Sequence, residues 1–320
     1  MMTTVIDPDA WFIVFNPASG GGRAARFRPH LLAALESSGL PHHCVESAAP
    51  GDATSRFAQA AVEGFRSLLA VGGDGTLNEL VNGLLGSGVP SRECLVAAAA
   101  GGTGNDWSRA MEIPDDADVL VSCMARARSR AADIGIAEDA KGNRIAFHNV
   151  TGAGLDAEVI RHTPRGAPPA AAYLLGLVRT LATFRAPRFE IAVDGNQVRG
   201  RFLLVLASIG PRCGGGMRLT PDAVVDDGWL DLLTVDPLGP AAALARLPKL
   251  FDGRLGGDPA FHVVRCRTVE IRSDPPCGVE VDGQLFGSTP VKVTIQPGAL
   301  RALDCRPATR EATGTGRASA

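Results

Sequence analysis

The chain has 320 residues, 45% hydrophobic and 21% charged, with a formal net charge of −2. That is room for two ordinary domains with a buried core, and it excludes a disordered protein. The 38 Gly and 22 Pro follow no G-x-y period, which excludes collagen, and the charge leaves no electrostatic footprint for nucleic acid.

The seven Cys are odd in number, form no C-x-x-C, and stand beside only six His. A disulfide framework and a structural zinc site are therefore not expected, and a reducing compartment is the default. The N-terminus MMTTVIDPDA has no basic stretch followed by an apolar one, so it does not read as a signal peptide. Ala170 to Phe184 is apolar but carries Arg179, and its length of about 15 residues falls short of the roughly 20 that span a bilayer. The expected location is the cytoplasm, with peripheral and transient membrane contact.

In chain order, WFIVF (11–15) reads as a buried strand and residues 23–38 as a helix closing before Gly39. HHCVE (42–46) reads as a strand, and Asp52 as the cap of a helix running to about Phe65. SLLAV (67–71) is a second buried strand. Leu77, Leu80, Val81, Leu84 and Leu85 then follow the spacing of a one-sided helix, and CLVAAAA (94–100) is a third apolar strand. This alternation predicts a parallel sheet covered on both faces. Near Asp133 the character changes. FEIAV (189–193), the turn Asp194-Gly195 and VRGRFLLVLASI (198–209) predict a hairpin. WLDLLTV (229–235), FHVVRC (261–266), VEIRS (269–273), VEVDG (279–283), VKVTI (291–295) and LRALDC (300–305) follow as further strands. The expected organisation is an α/β domain over 1–133, a mostly antiparallel β domain over 134–306, and a disordered polar tail over 307–320.

Three glycine-rich loops end three apolar strands: Asn16 to Gly22, Gly72 to Glu79, and Gly101 to Asp106. In an open α/β sheet that edge binds ligands. Glycine admits close approach, helix N-termini offer N–H groups to phosphate, and Ser19, Thr76 and Thr103 add hydroxyls. One such loop is as well explained by a tight turn; three together favour a phosphate site. None is a Walker A loop or a dinucleotide fingerprint. Asp74 inside the second loop is unfavourable beside phosphates unless a cation or a proton transfer is involved, such as Mg²⁺ carried by the nucleotide or an attacking hydroxyl. The alternative is a carboxylate capping the next helix.

With FNPASGGGRA (15–24), VGGDGTLNELVNGL (71–84), GGTGNDWSRAMEIP (101–114), DIG (133–135), FHNVTGAGLDAEV (147–159), GGGMRLTPDAVVDDGWLDL (214–232) and VEVDGQLFGSTP (279–290), the chain resembles the diacylglycerol kinase catalytic-domain superfamily. That superfamily includes soluble bacterial lipid kinases and the sphingosine and ceramide kinases. The resemblance implies a phosphofructokinase-like three-layer α/β domain, a β-sandwich that receives the lipid, and ATP between them. It also implies a last strand returning to the first domain. Carried over by motif, nucleotide contacts fall on Asn16, Ser47, Gly72, Gly73, Asp74, Gly75, Thr76, Asn78, Gly101 and Thr103. A structural Mg²⁺ site maps to Asp227 with carbonyls of Val224 and Trp229. His148 and Asn149 fall at the family's F-x-N strand.

One departure stands out. The family's late D-G-E motif, whose Glu accepts the proton, reads Asp282-Gly283-Gln284 here. An amide has no usable basicity at pH 7, so Gln284 is no general base. Three options follow: Asp282 takes the role, Asp74 takes it, or the kinase is weak or inactive. Residues 161–201 carry seven Arg against Glu190 and Asp194, around an apolar stretch. They read as a surface for anionic membrane or as a core helix with solvated arginines. The function expected is an ATP- and Mg²⁺-dependent kinase acting on a diacylglycerol- or sphingoid-like hydroxyl at the membrane surface. The rivals are a non-catalytic lipid- or nucleotide-binding protein and a NAD kinase, and a homodimer is left open.

Overall fold

β1 (Trp11–Phe15) is five apolar residues in a row, all buried, as suits a strand covered on both faces. α1 (Arg23–Ser38) follows and ends at Gly39, which adopts the left-handed region at φ 68°. Next come β2 (His42–Glu46), α2 (Asp52–Glu63), β3 (Ser67–Gly72) and α3 (Asp74–Gly86). β4 (Leu95–Ala100), α4 (Asp106–Ala110) and α5 (Ala117–Arg126) complete the first half. The strands lie parallel in the order β2-β1-β3-β4. α1 packs with α5 and α2 with α3, giving three layers. The carboxyl ends of β1, β3 and β4, and hence the three glycine loops, share one edge. Asp52 is the first residue of α2 rather than its cap; the cap is Gly51, and the Asp52 carboxylate takes the Ala48 N–H at 2.7 Å.

β5 (Ser129–Asp139) runs through residue 133 without a break and leads into β6 (Arg144–Phe147), β7 (Val150–Gly154) and α6 (Leu155–His162). α7 (Pro169–Thr183), β8 (Arg188–Val193), β9 (Asn196–Arg201) and β10 (Leu204–Ser208) follow. Then come β11 (Leu230–Val235), α8 (Pro240–Asp252), β12 (Phe261–Cys266) and β13 (Thr268–Asp274). β14 (Gly278–Val281), β15 (Gln284–Ser288) and β16 (Val291–Leu303) end the fold. This computed structural model describes residues 7, 9–163, 169–254 and 257–307, with only the backbone of 169–175. The tail expectation falls almost wholly outside them.

β16 joins the two halves. It lies parallel to β4 through Arg301 and Ala302, and antiparallel to β5 along nearly its whole length. The first sheet continues through β13, β8 and β9, ten strands in all. A second, antiparallel sheet of six runs β12-β11-β10-β7-β14-β15. Residues on β10 alternate between two apolar cores: Val205 and Ala207 face the core shared with the first sheet, and Leu204 and Leu206 face the one under α6, α7 and α8.

Three readings change. The strands expected at 291–295 and 300–305 are one strand, kinked by a register shift between Gln296 and Leu300 where Pro297-Gly298 reads as a break. The run 198–209 is two strands in different sheets, β9 paired with β8 and β10 paired with β7 and β11. The apolar α7 sends Leu177 and Leu181 into the second core, which is the core-helix alternative for that segment.

Candidate active site

The three glycine loops press against one another. A Cβ on Gly73 would lie 3.2 Å from the Gly102 Cα, and one on Gly20 would lie 2.3 Å from the Gly101 carbonyl oxygen. Much of the glycine thus serves loop-on-loop packing. Beside this junction is a cleft of about 310 Å³, at the low end of ligand pockets. Asn16, Ser19, Ser47, Gly73, Gly75, Thr76 and Gln284 line it. Asn16 Nδ2 donates to Thr76 Oγ1 at 3.1 Å, and Ser47 Oγ donates to the Phe15 carbonyl at 3.3 Å. Gly75 stands in the first turn of α3, with open space where its Cβ would be. A 13-residue helix directing its N-terminus at the cleft favours a bound anion.

Of the residues mapped to the nucleotide, Gly72, Asp74, Asn78, Gly101 and Thr103 do not line the cleft, although Gly73 and Gly75 on either side of Asp74 do. Gly72 and Gly101 are buried, and Thr103 is exposed elsewhere. Asn78 faces the other way, donating to the Ala146 carbonyl and to Asp282 Oδ2, each at 3.0 Å. Glu79, which sequence reasoning passed over, does line the cleft.

Asp74 sits where the halves meet. Its Oδ2 accepts the Asp106 N–H at 3.2 Å, and its Oδ1 accepts the Trp107 N–H at 3.3 Å and Asn149 Nδ2 at 3.4 Å. Three donors on a carboxylate with about four acceptor positions leave room for one more. Asp106 lies close by: a Cβ on Gly104 would fall 3.0 Å from Asp74 Oδ2 and 3.2 Å from Asp106 Oδ2. Burial, and then the Asp74 charge, push the Asp106 carboxyl up to about 6. Asp106 went unread as a second carboxylate; its place as the last residue of the third glycine loop was the available signal.

Asp282 is not an exposed base. Its side chain is fully buried at the β14–β15 turn, where Asp282 and Gly283 take φ 44° and 83°. It accepts the backbone N–H groups of His148, Asn149 and Val150 at 2.9–3.0 Å, besides Asn78 Nδ2. His148 Nδ1 lies 2.9 Å away, also without exposure. Burial opposes the charge on Asp282, but His148 and the N–H donors hold its carboxyl below the ordinary range. A carboxylate so occupied does not collect a substrate proton. It ties the turn to the β6–β7 connection and so places Gln284, which is exposed, at the cleft.

At the position mapped to a structural Mg²⁺, the Asp227 carboxylate has a guanidinium partner. Asp227 is paired with Arg265 and accepts the Trp229 N–H at 3.1 Å. The Arg265 and Arg267 guanidinium carbons lie 5.3 and 4.6 Å from the Trp229 ring centroid. The neighbouring Asp133 accepts the N–H groups of Gly228 at 2.7 Å and Gly298 at 2.6 Å. Among the described residues no three His, Cys, Asp or Glu gather to hold a metal. Guanidinium groups supply the positive charge at this loop. Thermal melts in EDTA and in excess Mg²⁺ are therefore expected to coincide, and Arg265→Ala to cost up to about 1 kcal/mol, as for a partly exposed pair. A melt raised by Mg²⁺ in the unaltered protein would show a cation displacing Arg265.

Comparison with known proteins accords with this architecture. Residues 10–137 match the diacylglycerol kinase catalytic domain, and residues 149–304 match the YegS C-terminal NAD kinase beta sandwich-like domain. A diacylglycerol kinase of Staphylococcus saprophyticus is 30% identical over 286 residues, covering 87% of this chain and 90% of the relative. One from Staphylococcus aureus is 31% identical, covering 87% of each. A crystal structure from Bacillus anthracis, provisionally assigned as a diacylglycerol kinase, superposes with a TM-score of 0.72 at 25% identity. It covers 94% of this chain and 98% of its own. The two matched domains and these relatives define a lipid kinase. The chain belongs to the diacylglycerol kinase family.

Proposed function

We propose that the protein transfers the γ-phosphoryl group of ATP to the hydroxyl of a diacylglycerol-like lipid at a membrane surface, with Asp74 accepting the hydroxyl proton. The observation that carries the reading is the position of Asp74. It lies at the N-terminus of α3 beside the cleft, bonded to Asn149 of the second half, with one acceptor position left. The phosphates would lie against the N–H groups of the first turn of α3, with the Ser19 hydroxyl adjacent. The lipid oxygen attacks the γ-phosphorus as its proton passes to Asp74; the bond to the β-phosphate oxygen breaks and ADP leaves. Mg²⁺, when bound with the nucleotide, would supply neutralisation of the phosphate charge. Both of Asp74's oxygens already hold N–H donors, which favours the hydroxyl over a cation as its fourth contact.

Diacylglycerol is preferred to a sphingoid base because the relatives at 30% and 31% identity are named diacylglycerol kinases. A panel of diacylglycerol, monoacylglycerol, ceramide and sphingoid base, each in mixed vesicles with ATP and Mg²⁺, tests this. Diacylglycerol should be turned over fastest; preference for the sphingoid base would redirect the reading.

Gln284 faces the cleft with an amide where the family places a carboxylate. Gln284→Glu is expected to raise the initial rate, recovering part of the roughly 10²–10⁴-fold that a positioned base supplies. An unchanged rate would mean that Asp74 alone sets the proton step. For membrane contact, Arg179, Arg185, Arg188, Arg199 and Arg201 are exposed around α7 and the β8–β9 hairpin. Sedimentation with anionic vesicles should therefore weaken at high salt, each arginine near the surface contributing about 1 kcal/mol. Equal binding to neutral vesicles at any salt would remove this surface from the account. No described helix is long and apolar enough to cross a membrane.

A further inference from the structure

We infer that the Gly214–Gly216 loop is the acceptor-side wall of the active site, and that Asp106 is the positioning residue that holds it over Asp74. The inference rests on the role proposed for Asp74. The Asp74 side chain does not enter the cleft that Gly73 and Gly75 line; it turns toward Asp106, Trp107 and Asn149. There it meets the connection that follows β10. A single point, where a Cβ on Gly104 would stand, lies 3.0 Å from Asp74 Oδ2, 3.2 Å from Asp106 Oδ2 and 3.2 Å from the Gly215 Cα. One loop of the second half thus stands over both carboxylates of the first. The Gly215 N–H donates to Asp106 Oδ2 at 3.0 Å, and Asp106 is buried. Asp106 Oδ1 has no protein partner, so the carboxylate holds the loop through Oδ2 alone.

The loop suits this place. Cys213 and Met217 exchange both of their backbone bonds, at 2.9 and 3.0 Å, and close a turn of three glycines with φ 58°, 85° and 108°. Only glycine holds such angles in succession at little cost. At the tip Gly214 and Gly215 are exposed, while Cys213 at the base packs into the second core with Leu204, Leu206 and Leu233. The loop therefore runs from an apolar interior to a pair of carboxylates. A lipid acceptor has the same profile, apolar along its chains and polar at the hydroxyl that must reach Asp74. A Cβ on Gly215 would meet nothing within 4 Å, so no packing fixes the tip on that side. The bond to Asp106 supplies the hold from the other side, and a hydrogen bond to a carboxylate belongs to the stronger class. Asp106 thus sets how closely the wall stands to Asp74, and with it the room left for the acceptor head group.

The test compares Asp106→Ala with Asp106→Asn, which keeps an oxygen for the Gly215 N–H. The backbone N–H groups that residues 106 and 107 give to Asp74 are present in both variants. Asp106→Ala is expected to raise KM for diacylglycerol in mixed vesicles about 10-fold, the loss of one hydrogen bond to a charged acceptor. KM for ATP should stay within about twofold, and Asp106→Asn should recover most of the lipid KM, because a neutral acceptor still holds the loop. An unaltered lipid KM in folded Asp106→Ala, equal rises for lipid and ATP, or no recovery in Asp106→Asn would each overturn the inference. If Asp106→Ala does not fold, Gly215→Ala disturbs the same contact from the loop: its Cβ meets open space, but alanine does not readily hold φ 85°. The same split between lipid and ATP KM is expected there, and its absence counts against the wall. Amide hydrogen exchange over residues 211–218 reads the claim without turnover. Exchange should be about 10-fold faster in Asp106→Ala than in Asp106→Asn. In the parent it should be slower on vesicles containing diacylglycerol than on vesicles without it. Superimposable exchange in either comparison would contradict the inference. Should no lipid be phosphorylated by the parent, the proposed function fails, while exchange still decides whether Asp106 holds the loop and whether the lipid lies behind it.

Discussion

Asp74→Asn is expected to lower lipid phosphorylation at least about 100-fold without unfolding the protein. Asparagine matches the carboxylate in size and keeps one acceptor oxygen. It removes the charge and turns an NH₂ toward the backbone N–H groups of Asp106 or Trp107, which now share one acceptor. On the proposed mechanism the acceptor hydroxyl would lose its proton sink, while Asn16, Ser19 and Ser47, which line the cleft, are untouched. The loss should fall on kcat, with KM for ATP changed little. Asp106 gives a second readout. Removing the like charge of Asp74 should bring its carboxyl down from about 6 toward the ordinary range. Initial rates with a thermal melt as control decide this; near-normal turnover in a folded Asp74→Asn protein would end the assignment of Asp74.

Asp282→Asn is expected to destabilise the protein by about 3–5 kcal/mol, the cost of breaking a buried ion pair from one side. Four N–H donors lose a charged acceptor, and His148 is left buried against a neutral amide. The pH dependence has a definite sign. Asp282 is held below the ordinary range when folded, so its contribution is present above the unfolded value and is lost as pH falls through the lower folded one. His148 is raised, so its contribution is full below the ordinary imidazole value and is lost as pH rises through the higher folded one. The penalty from Asp282→Asn should therefore be largest between these limits and shrink toward either extreme. Urea unfolding at several pH values measures it. A variant as stable as the parent would mean that the turn is held by its backbone alone.

Some of this was legible from the chain, for physical reasons. β1, β3 and β4 are buried on both faces, so each reads as an apolar run, ending at Asn16-Pro17 for β1 and at glycine for β3 and β4. The helix at Leu77, Leu80, Val81 and Leu84 shows the spacing of a one-sided helix because one face alone meets the sheet. The three glycine loops read as a group and Gln284 stands out separately as a departure from the family's motif; the cleft takes residues from two of those loops together with Gln284. What escaped depends on pairing across long separations. His148 and Asp282 are 134 residues apart, and Asp227 and Arg265 are 38 apart. Nothing local marks Asp282 as a buried acceptor for three consecutive N–H groups, because the donors belong to another strand connection. The guanidinium beside Asp227 is equally non-local, so nothing in the loop itself weighed against the cation site that the resemblance implies. β16 was divided because Pro297-Gly298 has the composition of a turn; the partner β5 carries the strand across it.

The central claim is phosphoryl transfer from ATP to a lipid hydroxyl at Asp74, and the most direct measurement follows the label itself. Purified protein is incubated with γ-labelled ATP, Mg²⁺ and vesicles containing diacylglycerol, with Asp74→Asn in parallel, and the extracted lipids are resolved by chromatography. The account predicts label in a single phosphorylated lipid comigrating with phosphatidic acid, formed in step with ADP and reduced at least about 100-fold in Asp74→Asn. Label remaining entirely in ATP and inorganic phosphate, with nucleotide binding intact, would contradict it.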